Sequence, residues 1–271
     1  MKIIESFTLG KKQNPAENED GVYLGERFVA VIDGMTSKLS APEKATMTSG
    51  CFARGKIMEL LENVPEKLMN PVELLDFLNE GLKKETASSI FCNMKEPPAA
   101  SLILYDQKTK NVISYGDCQM LYQHQVYKRE KLLDVKHALM RSKILQKCRQ
   151  KGISTEKLQE KDPGREAIVS DILGSFLKYA NESDEYGFGV LGLKKIVPEF
   201  VDVWRIQPDE EVVLASDGYP FLYGTLEECE EALQQLIVED PLLYKNYKST
   251  KGLKPGQKSY DDRSYVRFIV K

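Results

Sequence analysis

The segment that decides the fold is Phe28-Val29-Ala30-Val31-Ile32-Asp33-Gly34, in which five apolar residues lead into an acidic turn pair. Phenylalanine, valine and isoleucine favour β-strands, because their aromatic or branched side chains pack well on a pleated surface. A short apolar run bounded by Asp-Gly predicts a buried strand that ends at residue 33. The same arrangement returns twice, where Val112–Tyr115 leads into Gly116-Asp117 and Val212–Ser216 leads into Asp217-Gly218.

The rest of the chain alternates between stretches typical of strands and stretches typical of helices. Strands are predicted at Ile3–Leu9, Gly21–Ile32, Ala99–Tyr105, Asn111–Tyr115, Gln119–Val126, Val201–Ile206, Glu211–Ser216 and Arg263–Val270. Helices are predicted around Met47–Leu61 and after the caps at Asn70-Pro71 and Thr225, where apolar residues recur at helical spacing. This order of elements predicts an α+β fold with largely antiparallel sheets.

No linker or internal repeat divides the 271 residues, and this length fits one large domain or two small ones. The region 129–185 differs from the rest, since its pattern is polar and helical and contains the break Lys161-Asp162-Pro163-Gly164. We interpret residues 1–271 as a single domain with a helical, flap-like insert at about 129–185.

Gly187, Gly189 and Gly192 form a G-x-G-x-x-G motif, which is the pattern of dinucleotide-binding loops. That fingerprint requires a strand before the glycines and a helix beginning within them. Here the polar residues 181–185 precede them, and Pro198 soon follows. We therefore predict a strand or turn in which another segment of backbone approaches closely.

Composition excludes several classes of protein. Lysine and arginine number 38 against 41 aspartate and glutamate residues, and this net charge of −3 gives no general case for binding nucleic acid or membranes. Two histidines, and five cysteines without a C-x-x-C pair, argue against zinc and redox sites. No apolar run is long enough to span a bilayer, and no export signal is visible. We expect a cytoplasmic protein with reduced thiols.

Acidic residues stand at five strand edges, namely Glu19-Asp20, Asp33-Gly34, Gly116-Asp117, Asp217-Gly218 and Asp261-Asp262. Each pair taken alone has a simple structural interpretation, and Asp-Gly in particular is a common turn sequence. Together, five acidic corners beside apolar strands can converge at one end of two packed sheets. Clustered carboxylates repel one another unless protons or cations neutralise them, and oxygen ligands with few histidines favour Mg²⁺ or Mn²⁺.

These motifs, in this order and spacing, resemble the metal-dependent serine/threonine protein phosphatases of the 2C type. The resemblance rests on Asn18-Glu19-Asp20, Val31–Met35, Tyr115-Gly116-Asp117, Leu214–Gly218 and Asp261-Asp262, and it extends from about residue 5 to residue 269. It implies a four-layer α-β-β-α sandwich, in which helices flank two antiparallel sheets. It also implies hydrolysis of phosphoserine and phosphothreonine in proteins by a water that two metal ions activate.

The resemblance further implies a centre of two Mn²⁺ or Mg²⁺ ions, with room for a weak third ion. Asp33 is the implied bridge between the two main ions, and the carbonyl of Gly34 is an implied ligand of one of them. Asp217 and Asp262 are the implied ligands of the other ion, and Asp117 is the implied ligand of the third.

Glu19 and Asp20 are the implied catalytic pair, because the family uses such residues to hold metal-bound waters.

Other positions depart from the family pattern. Met35 stands where some members have a histidine that serves as a general acid, and Phe221 replaces an aspartate of the third-metal site. Arg263 stands where an asparagine is usual.

The arginine with which the family grips the substrate phosphate is also missing, since Pro15 occupies its position. Lys11 or Lys12 could supply a positive charge instead, although an ammonium cannot form the two-pronged contact of arginine. The stretch Lys136–Lys151 contains six basic residues and no acidic one, which a solvated helix face explains simply. Lys12 and Arg141 are our candidates for contact with the substrate.

Two alternatives to a phosphoprotein phosphatase are compatible with the sequence. A phosphatase-like binding or regulatory module, with weak or absent catalysis, is favoured by Pro15 and Phe221. A hydrolase of small phosphomonoesters would share the metal centre and differ only in its pocket. A phosphoprotein is the predicted partner, and the sequence indicates no oligomeric state.

Overall fold

The computed structural model of the chain describes residues 1–12, 14–37, 42–43 and 45–271. In these residues, ten strands form two five-stranded sheets. The strands are β1 (Lys2–Leu9), β2 (Asp20–Leu24), β3 (Phe28–Gly34), β4 (Ala100–Asp106), β5 (Asn111–Tyr115), β6 (Gln119–Tyr122), β7 (Gln125–Lys128), β8 (Asp202–Arg205), β9 (Glu211–Ala215) and β10 (Arg263–Ile269). The α-helices are α1 (Ser49–Glu62), α2 (Pro71–Ala87), α3 (Leu132–Gln150), α4 (Thr155–Glu160), α5 (Pro163–Tyr179) and α6 (Leu226–Glu239). Short 3₁₀ helices cover Pro15–Glu17 and Pro198–Phe200.

Neighbouring strands pair antiparallel in both sheets, whose orders are β1-β10-β9-β6-β7 and β2-β3-β4-β5-β8. Strand β3 shows how the sheets stack. Val31 packs between the sheets in a cluster with Leu214 and Val266, whereas Ile32 packs on the opposite face in a cluster with the helices. Because successive side chains point to opposite faces, a strand buried on both sides is apolar throughout, which explains the run at 28–32.

Helices cover the outer face of each sheet. On the second sheet, Ile57 of α1 belongs to the same buried cluster as Ile32. On the first sheet, Cys229 and Leu233 of α6 pack in a cluster with Ala215. The layers follow the order helices, sheet, sheet, helix, and this order confirms the predicted α+β sandwich.

Both predicted helix caps are present. The Asn70 side chain accepts hydrogen bonds from the backbone N–H groups of Val72 and Glu73, at 2.9 and 3.2 Å. Thr225 and Glu228 form a reciprocal capping box at the start of α6. These polar caps satisfy backbone donors that the first turn of a helix leaves without partners.

Two predicted strands are interrupted in the structure. The stretch 119–126 is a hairpin, in which Gln123 and His124 turn the chain with φ angles of 49° and 62°. Two successive residues with positive φ suit a tight hairpin turn. The prediction of one continuous strand over Gln119–Val126 is therefore wrong, and His124 lies in the turn. The stretch 21–32 is likewise divided between β2 and β3 by residues 25–27.

The close backbone approach predicted at the glycine motif is confirmed. A β-carbon on Gly187 would lie only 1.8 Å from the carbonyl oxygen of Glu182. Gly192 has a φ of +97°, a conformation that other residues adopt only with strain. Glycine is therefore required at these positions by close packing and by the backbone conformation.

The insert consists of helices α3, α4 and α5 and packs on the loop that follows α6. Leu145 of α3 and Leu158 of α4 are buried in one cluster with Leu242 and Tyr244. This cluster joins the insert to residues about 100 positions away in sequence. No helix among the described residues is long and apolar enough to cross a membrane.

Candidate functional site

Strand pairing in the second sheet brings acidic residues of β2 and β3 together. Asp20 lies directly opposite Asp33, and Asp33 lies opposite Ser101 of β4. The N–H of Gly34 donates to the carbonyl oxygen of Glu19 at 3.0 Å. Because directly opposed residues have β-carbons about 5 Å apart, the register makes the two aspartates neighbours.

The first sheet contributes the remaining acidic corners at the same end of the sandwich. Strand β9 ends just before Asp217, and its antiparallel partner β10 begins just after Asp262. A β-carbon on Gly218 would lie 2.0 Å from the carbonyl oxygen of Asp262, so this position requires glycine. The two loops are therefore in direct contact.

A cavity of about 800 Å³ opens at this end of the sheets. Six of the seven predicted catalytic and metal-binding residues line it, namely Asp20, Asp33, Gly34, Asp117, Asp217 and Asp262. The seventh, Glu19, is buried beside them and is only 3% exposed. The structure thus brings the whole predicted set together, and the role of each member stays a prediction.

Three of the carboxylates, Asp20, Asp33 and Asp217, form a group that we call the open carboxylates. None of them has a lysine, arginine or histidine nitrogen within 4.0 Å in the described part of the chain. Burial, together with the charges of neighbouring aspartates, raises the pKa of Asp20 and Asp33 well above the ordinary value. Burial and Asp117 raise the pKa of Asp217 to about 6. The group therefore carries mutual repulsion that a cation would relieve.

A second group, Glu19, Asp261 and Asp262, surrounds the ammonium of Lys11, and we call it the lysine-bound carboxylates. The Lys11 Nζ lies 3.1 Å from Oδ1 of Asp261, 3.2 Å from Oδ2 of Asp262 and 3.8 Å from Oε2 of Glu19. Lys251 also pairs with Asp261. Burial alone would raise the pKa of Asp261, but Lys251 and Lys11 outweigh it, so that the pKa lies far below the ordinary value.

Asp117 is paired with a lysine as well. Its Oδ2 lies 2.7 Å from Nζ of Lys131, and its Oδ1 accepts a hydrogen bond from the Ser101 hydroxyl at 2.6 Å. Burial would raise the pKa of Asp117, whereas Lys131 lowers it to about 2. The predicted third-metal ligand therefore already has a cation and a hydroxyl donor.

Asp262 is engaged by the backbone of the chain itself. Its Oδ1 accepts from the N–H of Lys11 at 2.7 Å, and its Oδ2 accepts from the N–H of Glu19 at 3.1 Å. These bonds join the start of β10 to the loop before β2. Its sequence neighbour Asp261 lines the same cavity, and both of its carboxylate oxygens pair with lysines. Asp261 is thus a second candidate ligand that the sequence interpretation passed over, because the two aspartates are adjacent and equally acidic.

Neither of the two substrate-binding candidates, Lys12 and Arg141, lines the cavity. Arg141 is 0% exposed, and its guanidinium donates to the carbonyl oxygens of residues 242, 243 and 249 and to the Asp162 carboxylate. It has no N–H group free to meet a substrate. Lys12 is exposed, lies 2.5 Å from Glu17 and does not line the cavity.

Other cations do line the cavity, and sequence reasoning missed them in this role. They are Lys128, Lys131, Arg165, Lys245, Lys248 and Lys251. They come from β7 and the adjacent insert, and from the loop after α6 much later in the chain. No local pattern distinguishes such lysines from ordinary surface lysines, so only the fold identifies them.

The chemistry of the donor set fits a hard divalent cation. Oε1 of Glu19 and Oδ2 of Asp20 are buried without a hydrogen-bond partner among the described residues, and carboxylate oxygens are the ligands that Mg²⁺ and Mn²⁺ prefer. A β-carbon on Gly50 would lie 2.7 Å from both Oε1 of Glu19 and the carbonyl oxygen of Gly34, so the close packing against these oxygens requires glycine. However, no three acidic, histidine or cysteine side chains in the described ranges are arranged to hold a metal ion. The donor chemistry thus fits such an ion, and binding one would require these carboxylates to move closer together.

The chain is similar in fold to solved structures of bacterial phosphatases. The crystal structure of the serine/threonine phosphatase PstP/Ppp of Mycobacterium tuberculosis superposes with a TM-score of 0.50 at 15% identity, covering 100% of both chains. The crystal structure of a bacterial serine phosphatase gives a TM-score of 0.50 at 15% identity, covering 98% of this chain and 97% of the other.

No protein-family model matches the chain, and no curated protein sequence matches it significantly. At 15% identity, the structural likeness establishes the fold. The fold that the acidic motifs implied is therefore confirmed across the length of the chain.

Proposed function

We propose that this chain is a metal-dependent phosphoprotein phosphatase that hydrolyses phosphoserine and phosphothreonine. The observation that carries the proposal is the group of open carboxylates, Asp20, Asp33 and Asp217, on the cavity wall. These side chains are crowded, largely buried and without a cation in ion-pair range. Crowded, buried carboxylates of this kind are concentrated at functional sites, and a divalent cation is the species that this group suits.

Asp33, the Gly34 carbonyl and Asp217 are the residues we propose to hold Mn²⁺ or Mg²⁺, with Asp261 or Asp262 completing the set. Glu19 and Asp20 would hold waters at the ions. When bound, such ions lower the pKa of a coordinated water and stabilise the oxygens of a phosphate. Asp117 is a weaker candidate for a third ion, because Lys131 already neutralises it.

The remaining walls of the cavity suit a phosphorylated peptide. Phe176, Phe188 and Val190 contribute apolar surface to the cavity wall, and Lys128 and Lys251 contribute positive charge. An apolar wall excludes water from the reacting group, and positive charge attracts a phosphate dianion. Met35 lines the cavity next to Gly34 and cannot donate a proton, so the leaving group takes its proton from another source.

The test is a turnover assay of an aryl phosphate and a panel of phosphoserine and phosphothreonine peptides, with Mn²⁺, with Mg²⁺ and with a chelator. We expect turnover that requires metal and that includes the peptides. Turnover of the aryl phosphate without any peptide would indicate a hydrolase of small phosphomonoesters. Turnover that survives the chelator would exclude the proposed metal dependence.

A binding module without catalysis is the second candidate, and one observation favours it. The Lys11 ammonium lies among Glu19, Asp261 and Asp262, where it provides a cation that these carboxylates need. Binding of phosphopeptides without turnover, at every metal concentration, would support this candidate. The two functions are therefore separated by the same assay combined with a binding measurement.

We also propose a cytoplasmic location and a phosphoprotein partner. All five cysteines are free thiols, with Cys51, Cys118 and Cys229 buried. Unpaired, buried thiols suit a reducing compartment. Fractionation of the cells that produce the protein, followed by immunodetection, tests the location.

A further inference from the structure

The ammonium of Lys11 lies inside the acidic cluster, although lysine side chains usually extend into water. Only 11% of the side chain is exposed. Besides its three carboxylate neighbours, its Nζ lies 3.3 Å from the hydroxyl oxygen of Thr36, whose hydroxyl donates to Glu19. Four oxygen atoms from three separate segments of the chain therefore surround one nitrogen.

The charge balance explains why the ammonium stays there. Burial alone would lower the pKa of Lys11, but Asp261, Asp262 and Glu19 outweigh it and raise the pKa above the ordinary value. Lys11 and Lys251 provide two positive charges for three carboxylates. Lys11 is therefore the cation that the chain itself supplies to these carboxylates, and removing it without a replacement would leave uncompensated negative charge in a largely buried setting.

The same carboxylates carry the features that suit a divalent cation. Oε1 of Glu19 has no hydrogen-bond partner among the residues described, and Glu19 is only 3% exposed. Its other oxygen, Oε2, lies 3.8 Å from Nζ of Lys11. A metal ion that binds Glu19 together with Asp261 must therefore take the place of the ammonium, because two cations cannot share those oxygens without strong repulsion.

We propose that Lys11 is a built-in cation that competes with a divalent metal ion for Glu19, Asp261 and Asp262, so that metal binding displaces its side chain. The inference rests on the proposed metal dependence. The backbone N–H of Lys11 donates to Oδ1 of Asp262 independently of the side chain. The loop can therefore keep its place while the ammonium leaves.

The first experiment is a calorimetric titration of Mn²⁺ into the wild-type chain and into Lys11→Met, Lys11→Arg and Lys12→Met. We expect Lys11→Met to bind Mn²⁺ about tenfold more tightly than wild type, in the range by which neighbours of metal ligands commonly change affinity. Lys11→Arg keeps a cation and should show no gain. Lys12→Met is the matched control, because Lys12 contacts the exposed Glu17 outside the cavity.

The second experiment needs no variant and so does not depend on whether Lys11→Met folds. Lysines of the wild-type chain are acetylated with and without Mn²⁺, and the modification of each residue is quantified by mass spectrometry. We expect Mn²⁺ to increase the modification of Lys11 several-fold and to leave that of Lys12 unchanged. Equal modification of Lys11 in both samples would contradict the displacement.

The outcomes separate this inference from the proposed function. Tighter Mn²⁺ binding by Lys11→Met without phosphatase turnover supports the competition and contradicts the phosphatase. Turnover with unchanged Mn²⁺ affinity, and a raised KM for phosphopeptides, contradicts the competition and makes Lys11 a substrate contact. Absence of Mn²⁺ binding in all variants contradicts both.

Discussion

The open carboxylates and the lysine-bound carboxylates consist of the same kind of residue at the same end of the sandwich, yet they are neutralised differently. Asp20, Asp33 and Asp217 face one another without a cation in ion-pair range among the residues described. Asp261 and Asp262 share Lys11, and Asp262 also accepts two backbone N–H groups. The lysine-bound carboxylates are therefore already neutralised by cations of the chain itself, whereas the open carboxylates are not.

The direction in which folding shifts the pKa of a carboxylate determines how its ionisation affects stability. Carboxylates whose pKa is raised by folding destabilise the folded chain when they ionise, whereas those whose pKa is lowered stabilise it. Asp217, with a pKa of about 6, belongs to the first class, and Asp117, with a pKa of about 2, belongs to the second. Substitutions in the two groups should therefore differ in their effects on activity and stability.

The largest expected effect comes from Asp33→Asn. If Asp33 holds both metal ions, its loss should lower kcat/KM for an aryl phosphate by about 1,000-fold or more, comparable with the loss of a group that directly stabilises the transition state. Removing one charge from a repelling group should leave the Tm unchanged or raise it. Steady-state kinetics with Mn²⁺ and thermal unfolding in a chelator give the two values.

Asp76→Asn is the matched control, because Asp76 is exposed on α2, away from the cavity. It should change neither value. Full activity of Asp33→Asn would remove the functional distinction between the two groups of carboxylates.

Asp262→Ala should act mainly on stability. It leaves the N–H groups of Lys11 and Glu19 without their acceptor and the Lys11 ammonium with one partner fewer. An unsatisfied buried donor costs about 1–3 kcal/mol, so we expect a fall of that size in the free energy of unfolding. Urea denaturation with circular dichroism measures it.

Asp262→Asn keeps one acceptor oxygen and should cost less than the alanine variant. Should Asp262→Ala unfold like wild type but lose as much activity as Asp33→Asn, then Asp262 belongs with the open carboxylates. Repeating the steady-state kinetics and the urea denaturation on Asp261→Asn would show which of the adjacent aspartates completes the metal set.

Whether the sequence predicts a feature of this site depends on how far apart in the chain the residues that determine the feature lie. Asp33 and Asp217 are found from local patterns, because each directly follows a run of sequence typical of a buried strand, and strand ends meet at one edge of a sandwich. The choice between Asp261 and Asp262 is not determined locally, since the two are adjacent. It depends on backbone donors from the loop before β2, about 250 residues earlier in the chain.

Arg141 is a residue whose surroundings the local sequence pattern did not predict. Its stretch of α3 is rich in basic residues, which predicts an exposed charged face. The structure buries this arginine because it binds three carbonyl oxygens of the loop at 242–249, about 100 residues away. A run of like charges gives no information about which member faces the core, so sequence alone assigned Arg141 to the wrong environment.

A pH titration of stability provides the third prediction. In a chelator, ionisation of Asp217 should lower the Tm by a few degrees as the pH rises from its ordinary pKa of 3.8 to about 6, because the folded chain binds more protons than the unfolded chain across that interval. Asp217→Asn should lack this decrease. Addition of Mn²⁺ at neutral pH should raise the wild-type Tm by mass action. An identical pH profile for wild type and Asp217→Asn would show that Asp217 is not strained by its neighbours.

The smallest effect is expected from Lys12→Gln, next in sequence to the buried Lys11. Its ammonium pairs with Glu17 at the surface, where 46% of the Lys12 side chain is exposed, and such pairs contribute about 0–1 kcal/mol. The free energy of unfolding should change within that range, and the KM for a phosphopeptide should not change. A KM raised several-fold in Lys12→Gln, with normal kcat, would place Lys12 against the substrate and would show that the loop moves when substrate binds. Adjacent lysines that differ this much would confirm that burial among the carboxylates, rather than positive charge itself, determines the role of Lys11.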